Sequence, residues 1–147
     1  MRRLLAAAAC ASYIALSSVS SGAAEKHRPL MVTVETVNHQ RYRSAGDWLK
    51  TKNGIAAKVS AMSKRDYEFL IAIHELVEAY LCEARGISQA SVDAWDTGPI
   101  GSKLDEPGDD PRAPYAKEHK FASKIERLVA DELGVDWGKY ADEVAGK

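Results

Sequence analysis

His74, Glu75 and Glu78 lie in the stretch "IAIHELVEAYL", residues 71–81, which otherwise reads as a buried helix. At 100° per residue, His74 and Glu78 fall within about 40° of one another, on the side shared by Leu70, Val77 and Leu81. An ionised carboxylate facing a core is costly unless it is paired or bound to metal, so Glu78 requires a partner. The nearest is His74 itself, at i,i+4. Farther along, His119 sits nearly in line with Glu126, beside the stripe Ala122, Val129 and Leu133 of a later helix. If that helix packs antiparallel or crossed on the first, His119 joins His74 and Glu78. Two imidazoles, one carboxylate and an open position are the donor set of catalytic zinc, which lowers the pKa of its bound water to about 7. The expected metal ligands are therefore His74, Glu78 and His119, with Zn2+ the expected ion. Glu75, about 100° round the helix, is the candidate general base. A plainer reading stands beside this: His74 and Glu78 as a hydrogen-bonded polar pair, and His119 as a surface residue at a helix N-terminus.

These residues need elements to hold them. Val32, Val34 and Val37 give a mostly alternating strand, and "DWLKTKNGIAAKVS" holds two short strands around Asn53-Gly54, a hairpin-turn pair. From Ser63 the period changes, with Phe69, Leu70, Ile73, Leu76, Val77, Tyr80, Leu81 and Ala84 recurring at helical spacing until Gly86. Ser63 is the expected N-cap and Asp66 serves the first turn. A short helix over Gln89–Trp95 follows, capped by Ser88. Asp96–Pro114 strings together Gly, Pro and Asp and reads as a long loop without structure of its own, of the kind that forms lids or binding loops. Its acids, taken singly, read as solvated surface. After it comes a helix ending at Gly134 with the buried stripe Ala122, Ile125, Val129 and Leu133, and then a short helix capped by Asp136. The expected fold is α+β: a small N-terminal antiparallel sheet, a long central helix and a helical remainder, in one domain over 31–147.

The whole chain of 147 residues is 46% hydrophobic and 28% charged, as suits a single globular core. A formal net charge of -1 provides no field for nucleic acid or an anionic membrane. Residues 1–30 have the layout of an export signal: Arg2 and Arg3, an apolar run from Leu4 to Leu16, then Ser21-Gly22-Ala23-Ala24 as a cleavage region. The apolar run is too short for a stable membrane span. The competing reading starts translation at Met31, which opens directly into the strand pattern. The first places the protein in the periplasm or outside the cell, the second in the cytoplasm. Beyond Cys10 the only cysteine is Cys82, so residues 31–147 cannot form an internal disulfide, and Cys82 reads as a small core hydrophobe.

The segments "RYRSAGDW", "RDYEFLIAIHELVEAYLCEARGIS", "VDAWD" and "GDDPRAPYAKEHKFASKIERLVADELGVDWGKY" resemble a family of small uncharacterised proteins encoded by bacteriophages and prophages. The resemblance covers nearly all of residues 31–145 and implies a start near Met31. More loosely, the chain is similar to zincin metallopeptidases, in which a small sheet precedes the helix bearing HExxH and a third ligand sits on a later helix. His74 and Glu75 match the first two motif positions, and Glu78 stands where the second histidine would be. "EHKFA", residues 118–122, is similar to the glutamate-bearing helix of gluzincin-like peptidases. His119 there restores a two-His, one-Glu set with two positions exchanged.

Other chemistries find little support. There is no G-x-S-x-G, P-loop or Gly-rich dinucleotide turn, and no pair of E-x-x-H motifs for a di-iron site. An all-helical pyrophosphohydrolase using Glu75, Glu78 and Glu118 around magnesium leaves the histidines without a role. The expected function is divalent-metal binding with metal-dependent hydrolysis of a peptide or amide. The alternative is a non-enzymatic accessory module that docks an unknown protein or peptide, its His/Glu cluster purely structural.

Overall fold

The computed structural model describes residues 29–147; the export-leader reading and Cys10 fall outside the described residues. Strands Met31–Val37 (β1), Gly46–Thr51 (β2) and Gly54–Ser60 (β3) form a sheet of order β1-β3-β2. Helices Arg65–Ala84 (α1), Gln89–Asp96 (α2), Ala116–Glu132 (α3) and Trp137–Ala145 (α4) follow. The α+β class holds. The sheet, however, is mixed rather than antiparallel throughout: β2 and β3 pair antiparallel, while β1 runs parallel to β3 with Met31 opposite Gly54 and Val37 opposite Ser60. The cause lies in residues 38–45, which carry the chain over the C-terminal end of β3. That crossing is tied down by Ala61 N–H to the Val37 carbonyl (2.9 Å), Ser60 N–H to the Ala45 carbonyl (2.8 Å) and Gln40 Nε2 to the Lys58 carbonyl (2.9 Å). The hairpin turns at Lys52 and Asn53, with Thr51 paired to Gly54, one residue earlier than the Asn-Gly pair suggested.

The helix ends follow local chemistry with one exception. Ser88 accepts from Ser91 N–H and Asp136 from Lys139 N–H, so both expected caps form. Gly86, at φ +74°, takes the left-handed conformation that ends α1 without a Cβ penalty. Ser63 is not the N-cap of α1. Its N–H and hydroxyl both donate to Glu143 of α4, at 2.6 and 2.5 Å, and Lys64 occupies the cap with no side-chain bond. Asp66 and Glu68 still complement the dipole of the first turn.

α1 and α3 pack antiparallel, His74 meeting Glu126 and Glu78 meeting His119. The buried face of α1 is Tyr67, Leu70, Ile71, Ala72, Glu78, Ala79 and Cys82, whereas Phe69 and Tyr80 are half exposed. On α3 the buried positions are Glu118, His119, Ala122, Glu126 and Ala130, while Leu133 is 46% exposed. The stripe expected through Leu133 is thus turned toward the polar residues, because Leu133 already lies at the C-cap and His119 and Glu126 face α1. Two apolar clusters result. One gathers Trp48, Ile55, Ala79, Cys82, Val92 and Tyr115; the other gathers Val59, Tyr67, Leu70, Ile71, Ala130 and Tyr140. Residues 74–78 of α1 and 119–126 of α3 fall between them, so the polar side chains form a layer inside the core. Leu70 is fully buried, and truncating such a side chain to Ala costs about 2–5 kcal/mol.

Candidate metal centre

His74 and Glu78 stand one turn apart on α1, and α3 delivers His119 to them. Three donor atoms converge: His119 Nδ1 is 3.0 Å from Glu78 Oε2 and 3.1 Å from His74 Nε2, and His74 Nε2 is 3.4 Å from Glu78 Oε2. Ligands held at about 2.0–2.1 Å on a tetrahedral centre are separated by about 3.3 Å, so this triangle has the size of one tetrahedral face. His74, Glu78 and His119 can hold a metal ion. Of the two approaches considered, antiparallel or crossed, the helices take the antiparallel one.

The neighbours of the triangle decide where its protons sit. His74 Nδ1 lies 2.8 Å from Glu126 Oε2, so Nδ1–H donates to that carboxylate and the Nε2 lone pair points inward. Glu126 is itself held by the Tyr140 hydroxyl. On His119, Nδ1 lies 3.0 Å from Glu78 Oε2, and the outer nitrogen, Nε2, is 3.5 Å from Asp109 Oδ1 and 4.0 Å from Glu106 Oε2, which can take its proton when Nδ1 serves a metal. Glu78 Oε1 accepts from Trp48 Nε1 at 3.0 Å, leaving Oε2 for the centre. These tautomers are assigned from the partners each nitrogen meets. With both imidazoles neutral and protonated outward, three lone pairs face one point where a cation can sit; without a cation, protons shared with Glu78 hold the same atoms together.

Burial opposes charge on His74, but its hydrogen bonds to Glu126 and Glu78 outweigh burial and hold its pKa well above the ordinary value. Burial likewise pushes the Glu78 pKa upward, and the bonds from His119 and His74 overcome it, bringing the carboxyl down to about 2. The pocket therefore attracts positive charge to these atoms.

Glu75 makes no hydrogen bond or ion pair with the described residues. Its carboxylate lies against Gly46 of β2, where a Cβ would sit 2.4 Å from Oε1, so only glycine leaves it room. Burial, reinforced by the charge of Glu78, holds its pKa well above the usual carboxylate range. Glu75, His74, Glu78 and His119 all line one cavity of about 690 Å³, walled by β2, the 97–109 loop, α3 and α4. The expected base therefore opens onto the same space as the expected ligands.

The long loop differs from its expectation, because it has structure. It carries two short 3-10 turns, Gly101–Lys103 and Pro107–Asp109, and Trp95 Nε1 donates to the Pro107 carbonyl at 3.0 Å. Gly108 packs flat on the His119 imidazole; a Cβ there would lie 2.3 Å from its Cγ. Glu118, considered for a magnesium cluster, is buried in an ion pair with Arg85 and does not line the cavity, so it cannot join Glu75 and Glu78. Four contributors escaped the sequence reading. Glu126 carried a signal, since it lies seven residues after His119 on the same face. Trp48, Tyr140 and Asp109 carried none, because their roles depend on contacts 10 to 30 residues apart.

Among the described residues no helix is long and apolar enough to cross a membrane. Comparison of the chain with protein-family models, with curated proteins and with solved structures returned no match.

Proposed function

We propose that the protein binds one divalent metal ion, zinc, through His74 Nε2, Glu78 Oε2 and His119 Nδ1, and that the site performs metal-assisted hydrolysis of a peptide or amide. One observation carries this reading: the outward hydrogen bond from His74 to Glu126, with the carboxylates outside His119, leaves three donors of tetrahedral spacing facing one point. A purely structural polar pair would need neither the third donor nor a cavity beside it. Zinc favours this mixture of imidazole and carboxylate, and it supplies Lewis acidity and a water of pKa near 7. Glu75, unpaired on the cavity wall, is the residue to accept that water's proton. The HE pair of the zincin-like motif supports the same assignment; we propose the relationship to zincins on those residues, and that to small phage proteins on the four segments that resemble them.

Elemental analysis of the purified chain tests the site. About one zinc per chain, lost in His74→Ala and His119→Ala with the fold retained, is the expected result. A parent that stays metal-free after incubation with zinc and manganese refutes it. A Glu75→Gln variant that keeps the metal but loses peptide or amide hydrolysis separates the base from the ligands.

A second reading, a module that docks a protein, is favoured by the half-exposed Phe69 and Tyr80 on α1 and Phe121 and Leu128 on α3. It predicts no effect of His74→Ala on partner binding.

A further inference from the structure

We infer that the cavity beside the metal centre takes a ligand with a positively charged side chain, a primary amine or guanidinium. The inference rests on the metal-binding reading for its anchor point and concerns the rest of the cavity. Of the charged residues lining it, nine are Asp or Glu and two are Arg or Lys. Internal pairing accounts for only part of this excess. Arg41 reaches Asp47 at 2.7 Å and Asp93 at 3.2 Å, Arg43 takes Asp105, and the Lys147 ammonium is turned to the Ala61 carbonyl. One divalent ion would offset Glu78, its ligand, and Glu126, which holds the ligand His74. Glu75, Asp96, Glu106 and Asp109 remain with no lysine or arginine partner among the described residues, Asp96 accepting from the Tyr115 hydroxyl.

Their placement matters as much as their number. Glu75 lies on the wall near the centre, whereas Glu106 and Asp109 stand on the loop at the mouth, with side chains 49% and 71% exposed, within 4.0 Å of His119 Nε2. A ligand anchored at the metal lies near them, because both approach the ligand His119. The same carboxylates repel a phosphate, nucleotide or carboxylate ligand. The cavity lining also includes four aromatic residues, Tyr42, Tyr115, Trp137 and Tyr140. Such surfaces hold the alkyl stem of a lysine or arginine and favour its cation. A second metal ion would need a further group of clustered donors, and the His74, Glu78 and His119 set is the one found among the described residues.

Calorimetric titration of the zinc-loaded chain with three hydroxamates tests the inference, because each has the same metal-binding head. N-acetyl-lysine hydroxamate is expected to bind about tenfold tighter than its norleucine counterpart, and the glutamate compound is expected to bind most weakly. The advantage of lysine is expected to vanish in Glu106→Gln/Asp109→Asn and to shrink in about 0.5 M salt. Equal binding of lysine and norleucine, or tightest binding of glutamate, overturns the inference while leaving the metal site standing. A chain that takes up no zinc fails the metal-binding reading instead. In that case N-acetyl-lysinamide and N-acetyl-norleucinamide, followed by quenching of Trp48 and Trp137, still decide the question. A lysine-selective signal lost in the double variant upholds the cationic pocket, and no selectivity refutes it.

Discussion

Glu126→Gln isolates the proton arrangement on which the metal centre depends. Glu126 receives two donors: the Tyr140 hydroxyl at Oε1, and His74 Nδ1 at Oε2, 2.8 Å away. A glutamine offers one carbonyl oxygen and one NH2, so it cannot accept from both. If the oxygen serves Tyr140, the NH2 faces His74 Nδ1, which must then present a lone pair. The imidazole proton moves to Nε2 and points into the space shared with Glu78 and His119. A metal ion must reverse that tautomer to bind, and it also loses the carboxylate charge behind its ligand. Outer partners of this kind are worth about 10- to 100-fold in metal affinity, or about 1.4–2.8 kcal/mol. Competition of the parent and variant against a chelator of known zinc affinity measures the loss. Adding Tyr140→Phe removes the rival donor and frees the glutamine oxygen for His74, so Glu126→Gln/Tyr140→Phe is expected to recover part of the affinity. The reasoning is refuted if Glu126→Gln binds zinc as tightly as the parent while His74→Ala abolishes binding.

Three further outcomes follow from the same geometry. Gly108→Ala places a Cβ 2.5 Å from His119 Nδ1, so the ring or the loop must move; zinc affinity is expected to fall about tenfold in the same competition assay. Zinc at a hundred times its Kd is expected to add about 2.7 kcal/mol to stability, seen as a rise of about 10 °C in Tm that Glu78→Gln and His119→Ala lack. Asp96, which accepts from the Tyr115 hydroxyl, has its pKa raised by burial to about 6. The folded chain therefore holds that proton more tightly than the unfolded chain, and ionised Asp96 is a cost that is absent below about pH 4, grows up to about pH 6 and is complete above it. After discounting for partial exposure, Asp96→Asn is expected to stabilise the metal-free protein by about 1–2 kcal/mol at neutral pH and by almost nothing at pH 4. Equal effects at both pH values in urea titrations would contradict this.

Much of the fold could be read locally. Ser88 and Asp136 cap the helices they precede, Gly86 ends α1, and the change from alternating to helical spacing near Ser63 separates sheet from helices. Each depends on residues within four or five positions, where backbone sterics and capping bonds act. The local rules failed where a distant partner competed. Ser63 abandoned its cap for Glu143, 80 residues away, and β1 chose the parallel edge of β3 because the 38–45 segment crosses its end. Helical periodicity also misplaced the α3 stripe, since it ranks leucine above histidine and glutamate for burial. Here the buried face is polar because it faces the polar layer of α1.

The pairing of His74 with Glu78 on one helical face was determined by the sequence itself, through a repeat of 3.6 residues that no tertiary contact can alter. His119 was legible as a candidate, but only the antiparallel packing of α3 on α1 brought its Nδ1 within 3.1 Å of either partner. The outward proton on His74, the bond from Trp48 that aims Glu78, and Gly108 lying on His119 were decided by tertiary structure alone. The physical reason is that a helix sets directions for its own side chains, whereas lone pairs, protons and a shared cavity are set by groups that meet only when separate elements pack.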